Sequence, residues 1–161
     1  MELKIVTHPS VEILELFHDV MRKEFEEHCG HGLYGNYDII YKLFKTGHAI
    51  VCLKDGKPIG FTTWNRWEAK IVTIDLTWFH PSERSFFAAK KFLELVSKEF
   101  RRRRDKMLKS KCVTLNGLCI AEHSGFIIED DSPSYKEFKE RYPWERGSVM
   151  FNRSIPVFKL L

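Results

Sequence analysis

The spacing of apolar residues predicts helices in the first third of the chain. After a short alternating segment, ELKIV, apolar side chains within residues 11–25 recur every three or four positions, which is typical of an amphipathic helix. A glycine-rich stretch interrupts this pattern, and YDIIYKLFK then predicts a second, shorter helix that ends at Gly47. The sequence therefore begins with one strand followed by two helices.

Three segments rich in β-branched residues come next. HAIVCLK and PIGFTTWNRW are separated by Asp55 and Gly56, an Asp-Gly pair that signals a hairpin, and AKIVTIDLTWF follows almost at once. We expect three consecutive antiparallel strands here. Residues 82–108 contain neither Gly nor Pro and keep apolar side chains at helical spacing, which predicts one long helix with a basic C-terminal end.

The last third of the chain predicts shorter elements. KCVTL, FIIE and SVMFNRSI have the composition of strands, and GLCIAEHS that of a short helix. Residues 130–147 form a polar insertion with prolines and several aromatic side chains, which predicts one or two helical turns in a lid or partner-binding flap, or aromatic side chains that close over one sheet face. The complete order is mixed α/β, with a meander first and a crossover helix after its third strand.

Length, charge and cysteine content narrow the class of protein. A chain of 161 residues with 43% hydrophobic residues suits a single folded domain, residues 1–161, and a net charge of +4 identifies no partner. The four cysteines form no C-x-x-C pair and the N-terminal segment lacks a secretory pattern, so we expect a reducing, cytoplasmic setting. No apolar run approaches the roughly 20 residues needed to cross a bilayer, so no membrane association is expected.

Two motifs resemble those of the GNAT superfamily of N-acetyltransferases. A predicted strand ends at Pro81 and runs into Arg84 and Ala89, which fall on positions of the family motif R-x-x-G-x-G/A at the start of a long helix. Gly125 and Phe126 are similar to the Gly-Phe that ends the late helix of the family. The resemblance covers about residues 48–129 and implies a GNAT-like α/β fold, with a central, mostly antiparallel sheet flanked by helices.

The resemblance implies that acetyl-CoA binds at this motif and along the strand before it. In the family, a glycine-rich turn lets N–H groups at a helix N-terminus approach the pyrophosphate, and the strand orients the thioester. Phe87 replaces the central glycine of the motif, as in phage-encoded members with eroded motifs; if the cofactor has been abandoned, Phe87 is instead a core residue. The implied cofactor-binding residues are Leu76, Trp78, Phe79, Arg84, Ser85, Phe87, Ala88 and Ala89.

The resemblance also implies two residues that move protons. The family tyrosine that protonates the leaving thiolate is replaced by Ala121, and His123 is our candidate for that role because imidazole exchanges protons near neutral pH. Asp75 lies six residues before Pro81, where family members often carry the base that deprotonates the amine. The alternatives are a surface histidine on a short helix for His123 and an ordinary solvent-facing strand position for Asp75.

The sequence therefore favours an acyl-CoA-dependent N-acetyltransferase that acts on an amine of a small molecule or a protein. One alternative is a catalytically inactive binding or structural protein of GNAT fold. Another is a nucleic-acid-associated modifying protein, which would use the basic run at residues 101–104 with Trp64, Trp67 and Trp78 as stacking platforms. The alternatives are that the basic run is a solvated helix end and that the tryptophans line a substrate cleft or pack in the core.

Two further groups of reactive side chains are predicted to be structural. His28, Cys29 and His31 lie close in sequence, but a zinc site needs a fourth ligand from elsewhere, and no second Cys/His pair is present. No metal site is therefore predicted. Cys112 and Cys119 are expected to be buried core thiols rather than nucleophiles.

Overall fold

A computed structural model describes residues 2–146 and 149–161 of the chain. Its strands are β1 (Leu3–Val6), β2 (Ala49–Lys54), β3 (Lys57–Glu68), β4 (Ile71–Phe79), β5 (Met107–Thr114), β6 (Ile127–Ile128) and β7 (Met150–Leu160). Its helices are α1 (Val11–Glu15), α2 (His18–Glu27), α3 (Tyr37–Lys45), α4 (Phe86–Arg102), α5 (Leu115–His123) and α6 (Tyr135–Arg141). The strands form one seven-stranded mixed sheet in the order β1-β2-β3-β4-β5-β7-β6, which confirms the α/β class.

The first of two compact units contains the described residues up to Asn65 together with Ile74–Ala88. In it, β1 pairs antiparallel with β2, and β2 pairs antiparallel with β3. The apolar stripes of α1, α2 and α3 pack on one face of these strands, as amphipathic helices must. The buried core cluster consists of Leu14, Phe17, Met21, Ile40, Phe44, Ala49, Val51, Phe61 and Trp78.

The second unit contains Arg66–Thr73 and Ala89–Leu161. In it, β4 pairs parallel with β5 over three residues of each strand. β5 pairs antiparallel with β7, and β6 also pairs antiparallel with β7. Asp105, whose side chain is 4% exposed, binds Arg66 through two hydrogen bonds of 2.7 and 2.9 Å. This pair ties the β3–β4 hairpin to the chain that follows α4. A single domain over the whole chain stays a prediction.

The long helix is shorter at both ends than its apolar spacing predicts. The predicted helix covers residues 82–108, but α4 begins at Phe86, because Pro81–Glu83 form a 3-10 turn and Ser85 Oγ then accepts a hydrogen bond from Ala88 N–H at 3.0 Å. At the other end, Arg104 has φ of 67°, a left-handed conformation that ends a helix. The residues after it enter β5.

The first predicted helix is divided into α1 and α2. Phe17 N–H donates to Leu14 O at 2.9 Å, a tighter turn than the α-helical one, and α2 then starts at His18. The division still places Leu14, Phe17 and Met21 in the same core, so the apolar spacing is preserved.

The polar insertion contains α6, as predicted. Ser134 Oγ accepts from Glu137 N–H, and Ser134 N–H donates to the Glu137 carboxylate, which together form a capping box that starts the helix. Gly147, the end of the predicted insertion, and Ser148, the start of the predicted last strand, lie outside the described residues. In the described part of the chain, no helix is both long enough and apolar enough to cross a membrane.

Candidate active site

The turn between β4 and α4 is held by contacts of its own residues. His80 N–H donates to Ile59 O at 2.8 Å, and His80 Nδ1 accepts from Ser82 N–H at 3.1 Å. Lys54 Nζ lies 2.8 Å from Glu83 Oε2, which connects the turn to β2. These contacts fix the backbone of the turn before any ligand binds, and a preformed site loses less entropy on binding.

Arg84 is bound by a carboxylate and a carbonyl of the same unit. Its Nε donates to Phe79 O at 3.0 Å, and its two terminal nitrogens lie 2.8 and 2.5 Å from the two carboxylate oxygens of Glu24. The Glu24 side chain is 17% exposed and also accepts from Trp78 Nε1 at 3.0 Å. Because a two-pronged Arg–carboxylate pair fixes both direction and distance, the guanidinium is oriented toward α2.

Glu24 keeps its charge despite its burial. Burial alone would raise the pKa of Glu24, but hydrogen bonds from Arg84 and Trp78 and the Arg84 charge outweigh it, so the pKa lies below its ordinary value. The sequence analysis missed this residue. Glu24 follows Phe17 and Met21 at helical spacing, so a carboxylate within the apolar stripe of α2 was the available signal.

The first turn of α4 lies at the protein surface. Phe86 is 45% exposed and Phe87 is 59% exposed. The alternative that Phe87 is a core residue is therefore wrong: the buried stripe of α4 recurs every four residues, and Phe87 lies beside it. Ser85 is exposed and Ala89 is half-buried. The stripe consists of Ala88, Phe92, Val96 and Phe100.

Backbone N–H groups alternate in direction along the end of β4. Leu76 N–H donates to Thr63 Oγ1 at 3.1 Å, and His80 N–H points to the same neighbouring strand, β3. Since successive N–H groups along a strand point to opposite edges, those of Thr77 and Phe79 point away from β3. The Leu76 N–H is therefore already used within the sheet.

The side chains of this segment divide between core and surface. Trp78 is 4% exposed, its ring centroid lies 5.0 Å from that of Phe17, and Phe79 is 8% exposed. Asp75 is exposed on β4, and His123 is exposed at the end of α5 in the second unit. The structure thus places the Arg84–Ala88 candidates on one turn and the helix that follows it, whereas Asp75 lies on the strand and His123 on another helix.

In α5, His123 and Cys119 lie one helical turn apart. His123 Nδ1 is 2.8 Å from the backbone O of Cys119, so this nitrogen donates to its own helix, and Cys119 Sγ is 3.7 Å away. Burial raises the pKa of the Cys119 thiol, an effect that Tyr135 only partly offsets. Burial likewise raises the pKa of Cys112 to about 11. Cys112 is buried as predicted, Cys119 is half-buried, and neither is activated as a nucleophile.

A cleft of about 640 Å³ lies between α2 and the β4–α4 turn. Concave surfaces with a few convergent polar groups are where small molecules usually bind. The cleft is therefore a candidate binding site beside Arg84. Its walls are formed by Asp19, Val20, Lys23, Glu24, Glu27 and His28 on α2 and by His80, Pro81, Ser82 and Arg84 on the turn.

The basic run at the end of α4, residues 101–104, is paired in part with acidic side chains. Arg102 and Arg103 bind Glu99 with N···O distances of 2.6 and 3.0 Å. Among the tryptophans, Trp67 is 78% exposed, whereas Trp64 and Trp78 are each 4% exposed. The prediction that Trp64 and Trp78 are stacking platforms is therefore wrong. The pairing of Arg102 and Arg103 with Glu99 favours a solvated helix end.

Solved structures with the same fold are N-acetyltransferases. The chain is similar to PaiA N-acetyltransferase from Thermoplasma acidophilum in complex with coenzyme A, at 15% identity and a TM-score of 0.65 over the full length of both chains. It is also similar to an IAA acetyltransferase from Bacillus cereus, at 15% identity and a TM-score of 0.66 over 99% of this chain and 100% of that one.

A third similar structure is a GNAT family acetyltransferase from Elizabethkingia anophelis with acetyl-CoA bound, at 18% identity and a TM-score of 0.58 over 77% of this chain and 82% of that one. No family model and no curated protein matches the sequence. At these identities the likeness establishes the fold, and the chain has the GNAT fold that its two motifs implied.

Proposed function

We propose that this protein is an acyl-CoA-dependent N-acetyltransferase that acts on an amine. The observation that carries the proposal is the likeness of fold to acetyltransferases, which spans both full chains for one structure with coenzyme A and 77% of this chain for one with acetyl-CoA bound. The exposed first turn of α4 supports it, because the N–H groups and dipole at a helix N-terminus attract phosphate. We place the cofactor phosphates on this turn, over Ser85 and the backbone of Phe87, Ala88 and Ala89.

The residues on the turn suit an anionic group, because they offer a positive charge and leave the turn accessible from solvent. The guanidinium of Arg84 has five N–H donors, more than its contacts with Glu24 and Phe79 use, so it is able to reach a phosphate without leaving α2. The Phe87 side chain points largely into solvent and leaves the turn open. The Ser85 hydroxyl oxygen already accepts from Ala88 N–H, so a bound phosphate would share the Ala88 N–H donor with Ser85.

When bound, acetyl-CoA supplies an acetyl thioester. We assign the orientation of that thioester to the Leu76–Phe79 segment, with Thr77 N–H as the donor because Leu76 N–H is bonded to Thr63. Asp75 and His123 are the residues that the sequence proposed for moving the amine proton and the thiolate proton; both are exposed, and His123 Nδ1 is bonded to its own helix. The amine nitrogen forms the new bond to the acetyl carbon while the bond from that carbon to sulfur breaks.

Binding of coenzyme A to the full chain tests this proposal. At 100 times its dissociation constant, coenzyme A or acetyl-CoA should stabilise the protein by about 2.7 kcal/mol, measured by thermal melting and calorimetry. Phe87→Glu puts a carboxylate at the helix N-terminus and should weaken binding about tenfold. Ile39→Glu, an equally exposed apolar residue on α3, is the control and should bind like wild type. If millimolar coenzyme A leaves the melting temperature of the wild-type protein unchanged, the proposal is contradicted.

A further inference from the structure

Lys159, on β7, is bonded through its amine to a buried hydroxyl on α4. Lys159 Nζ lies 3.2 Å from Ser97 Oγ, and the lysine side chain is half-buried. Ser97 is only 2% exposed, and its hydroxyl donates to Leu93 O at 2.7 Å. Because the single O–H of Ser97 is used in this way, Ser97 Oγ is only able to accept from Lys159. The amine is therefore held as a donor.

The amine of Lys159 has no carboxylate within ion-pair distance in the part of the chain that the structure describes. Two other half-buried lysines differ in this respect. Lys54 Nζ lies 2.8 Å from Glu83, and Lys109 Nζ lies 3.5 Å from Glu129. Since a charge that leaves water usually takes a partner of opposite charge, the ammonium form of Lys159 is poorly stabilised where it lies.

The charges that act on Lys159 from α4 make this imbalance larger. Arg101 repels the ammonium, and Glu94, which attracts it, is already paired with Lys91 at 3.6 Å. Burial and then the Arg101 charge lower the pKa of Lys159 below its ordinary value. The pKa of the ion-paired Lys54 is raised instead. At a given pH, a larger share of Lys159 than of Lys54 is therefore the neutral amine.

The end of α5 leaves one side of this amine uncovered. A Cβ on Gly125 would lie 3.4 Å from Lys159 Cε and 3.8 Å from Lys159 Nζ, so any larger residue at this position would pack against the amine. Gly125 has no side chain to do so. Lys159 is also half-buried rather than enclosed, which gives a small reagent in solution access to it.

We propose that Lys159 is a nucleophilic lysine and a site of acylation by small acyl donors such as acyl phosphates. A neutral amine attacks a carbonyl carbon through its lone pair, and burial or a neighbouring cation favours that neutral form. The hydrogen bond to Ser97 uses an N–H of Lys159 and leaves the lone pair free, because the Ser97 O–H is bonded to Leu93. The inference does not rest on the proposed function, since an acyl phosphate needs no coenzyme A site.

Bonds and protons balance in this step. The neutral nitrogen of Lys159 forms a bond to the acyl carbon while the bond from that carbon to the phosphate oxygen breaks. Inorganic phosphate leaves and takes the proton that the nitrogen loses. The product is a neutral amide with one N–H, which is still able to donate to Ser97 Oγ. Acylation thus removes a cation from beside Arg101 and keeps a donor for the hydrogen bond to α4.

Site-resolved labelling of the folded full chain tests this inference. The protein is incubated with deuterated acetyl phosphate at about pH 8, and the label on each lysine is followed by peptide mass spectrometry. Lys159 should be labelled at least about fivefold faster than Lys54 and Lys109, because more of its amine is neutral. In protein unfolded with urea, the three rates should agree within about twofold, since the fold sets the difference.

The labelling result separates this inference from the proposed function. If Lys159 in the folded protein is labelled no faster than Lys109, the inference is overturned, because burial then protects the amine instead of activating it. Acetyl phosphate carries no coenzyme A, so a protein that fails to bind coenzyme A would still show fast labelling of Lys159. Each proposal therefore fails by its own measurement.

A change of charge beside the amine should change its labelling rate. Arg101→Glu puts a carboxylate where a cation repels Lys159, and should slow labelling of Lys159 about tenfold. Lys98→Glu is the matched control, because Lys98 is exposed on the same helix and is not among the charges that act on Lys159. The control should stay within about twofold of wild type. Equal rates in wild type and Arg101→Glu would contradict the inference.

Removal of the charge gives a readout that needs no labelling. Lys159→Met keeps most of the side-chain length without the ammonium, and should melt at or above the wild-type temperature because an unpaired cation is lost. Lys54→Met breaks the ion pair with Glu83 and should melt below wild type. A melting temperature lower for Lys159→Met than for Lys54→Met would show that the fold stabilises the Lys159 ammonium, and would overturn the inference.

Discussion

The β4–α4 turn and the helix α5 carry the two motifs by which the sequence resembles acetyltransferases, and they differ in how their polar groups are used. At the turn, Arg84 is tied to α2 through Glu24, and Glu83 is tied to β2 through Lys54. In α5, His123 bonds to its own helix backbone. The first motif is thus part of a network that reaches other elements, whereas the second is local.

The comparison shows that a sequence motif is explained in some cases by the backbone conformation that it provides, without a role in the reaction. Gly125 has φ of 90°, which favours glycine, and its N–H donates to Glu122 O. Phe126 N–H donates to Ala121 O, and the Phe126 side chain is buried. This is a glycine-terminated helix end of the usual kind. The Gly-Phe pair therefore reports how α5 ends, and it says nothing of proton donation.

The largest effect should come from adding one methyl group beneath the turn. In Gly60→Ala, the new Cβ would lie 2.5 Å from Trp78 O and 2.8 Å from the Phe79 ring, so β3 and β4 would have to separate. We expect a loss of about 3 kcal/mol in the free energy of unfolding, measured with urea. The matched change in α5, Gly117→Ala, meets only the Thr114 hydroxyl at 3.1 Å and gains helix propensity, so it should stay within about 1 kcal/mol of wild type. Equal losses in the two variants would contradict the comparison.

The next effect should come from the ion pair that joins the turn to α2. Glu24→Gln keeps an acceptor for Trp78 but removes the charge that Arg84 binds, and should cost about 1–2 kcal/mol at pH 7, since Arg84 is partly screened by solvent. Because the folded-state pKa of Glu24 is lowered, this stability is present above the ordinary carboxyl range and is lost as pH falls through the folded value. The difference from wild type should therefore shrink in acid.

Glu27→Gln is the control for that measurement. Glu27 lies one turn further along α2, its side chain is 59% exposed, and its closest contact with Lys23 is 3.9 Å. An exposed pair at this distance contributes little, so we expect no measurable change. If Glu27→Gln and Glu24→Gln destabilised the protein equally, the Arg84 pair would have no special role.

Hydrophobic periodicity predicted the order of the strands and main helices because each element must bury one apolar face. It did not predict where α4 begins and ends, because the start depends on the Ser85 cap and the end on the left-handed conformation of Arg104 rather than on apolar spacing. It also merged α1 and α2, because Leu14, Phe17 and Met21 face one core through the break.

The candidate site was predictable only where its chemistry is local in sequence. The run from Arg84 to Ala88 forms one turn and the start of one helix, so a motif was able to reveal it. Glu24 lies 60 residues from Arg84, so tertiary packing alone brings this pair together. The carboxylate within the apolar stripe of α2 was the signal available for Glu24.

A smaller effect should come from Phe87, which replaces the glycine of the cofactor motif. Because the ring is exposed, Phe87→Gly should cost less than about 1 kcal/mol in stability, mostly through helix propensity. Closer approach of phosphate to the backbone should tighten coenzyme A binding about threefold, measured by calorimetry. Phe87→Ala removes the ring but keeps a Cβ, and should gain less. A coenzyme A affinity that is unchanged in both variants would show that Phe87 is no obstacle.

The smallest effect should come from the two residues that the sequence itself proposed for proton transfer. His123 uses Nδ1 to bond its own helix, and Asp75 is exposed on β4, so the described contacts orient neither side chain toward the cleft beside Arg84. His123→Gln and Asp75→Asn should each change kcat for acetyl-CoA turnover by less than about threefold, well below the loss expected of a general acid or base. Release of free thiol from acetyl-CoA in the presence of an amine measures both variants. A loss of about 100-fold in Asp75→Asn would assign the amine proton to Asp75. A similar loss in His123→Gln would make α5 a functional region after all, because a leaving thiolate would then depend on the imidazole at its end.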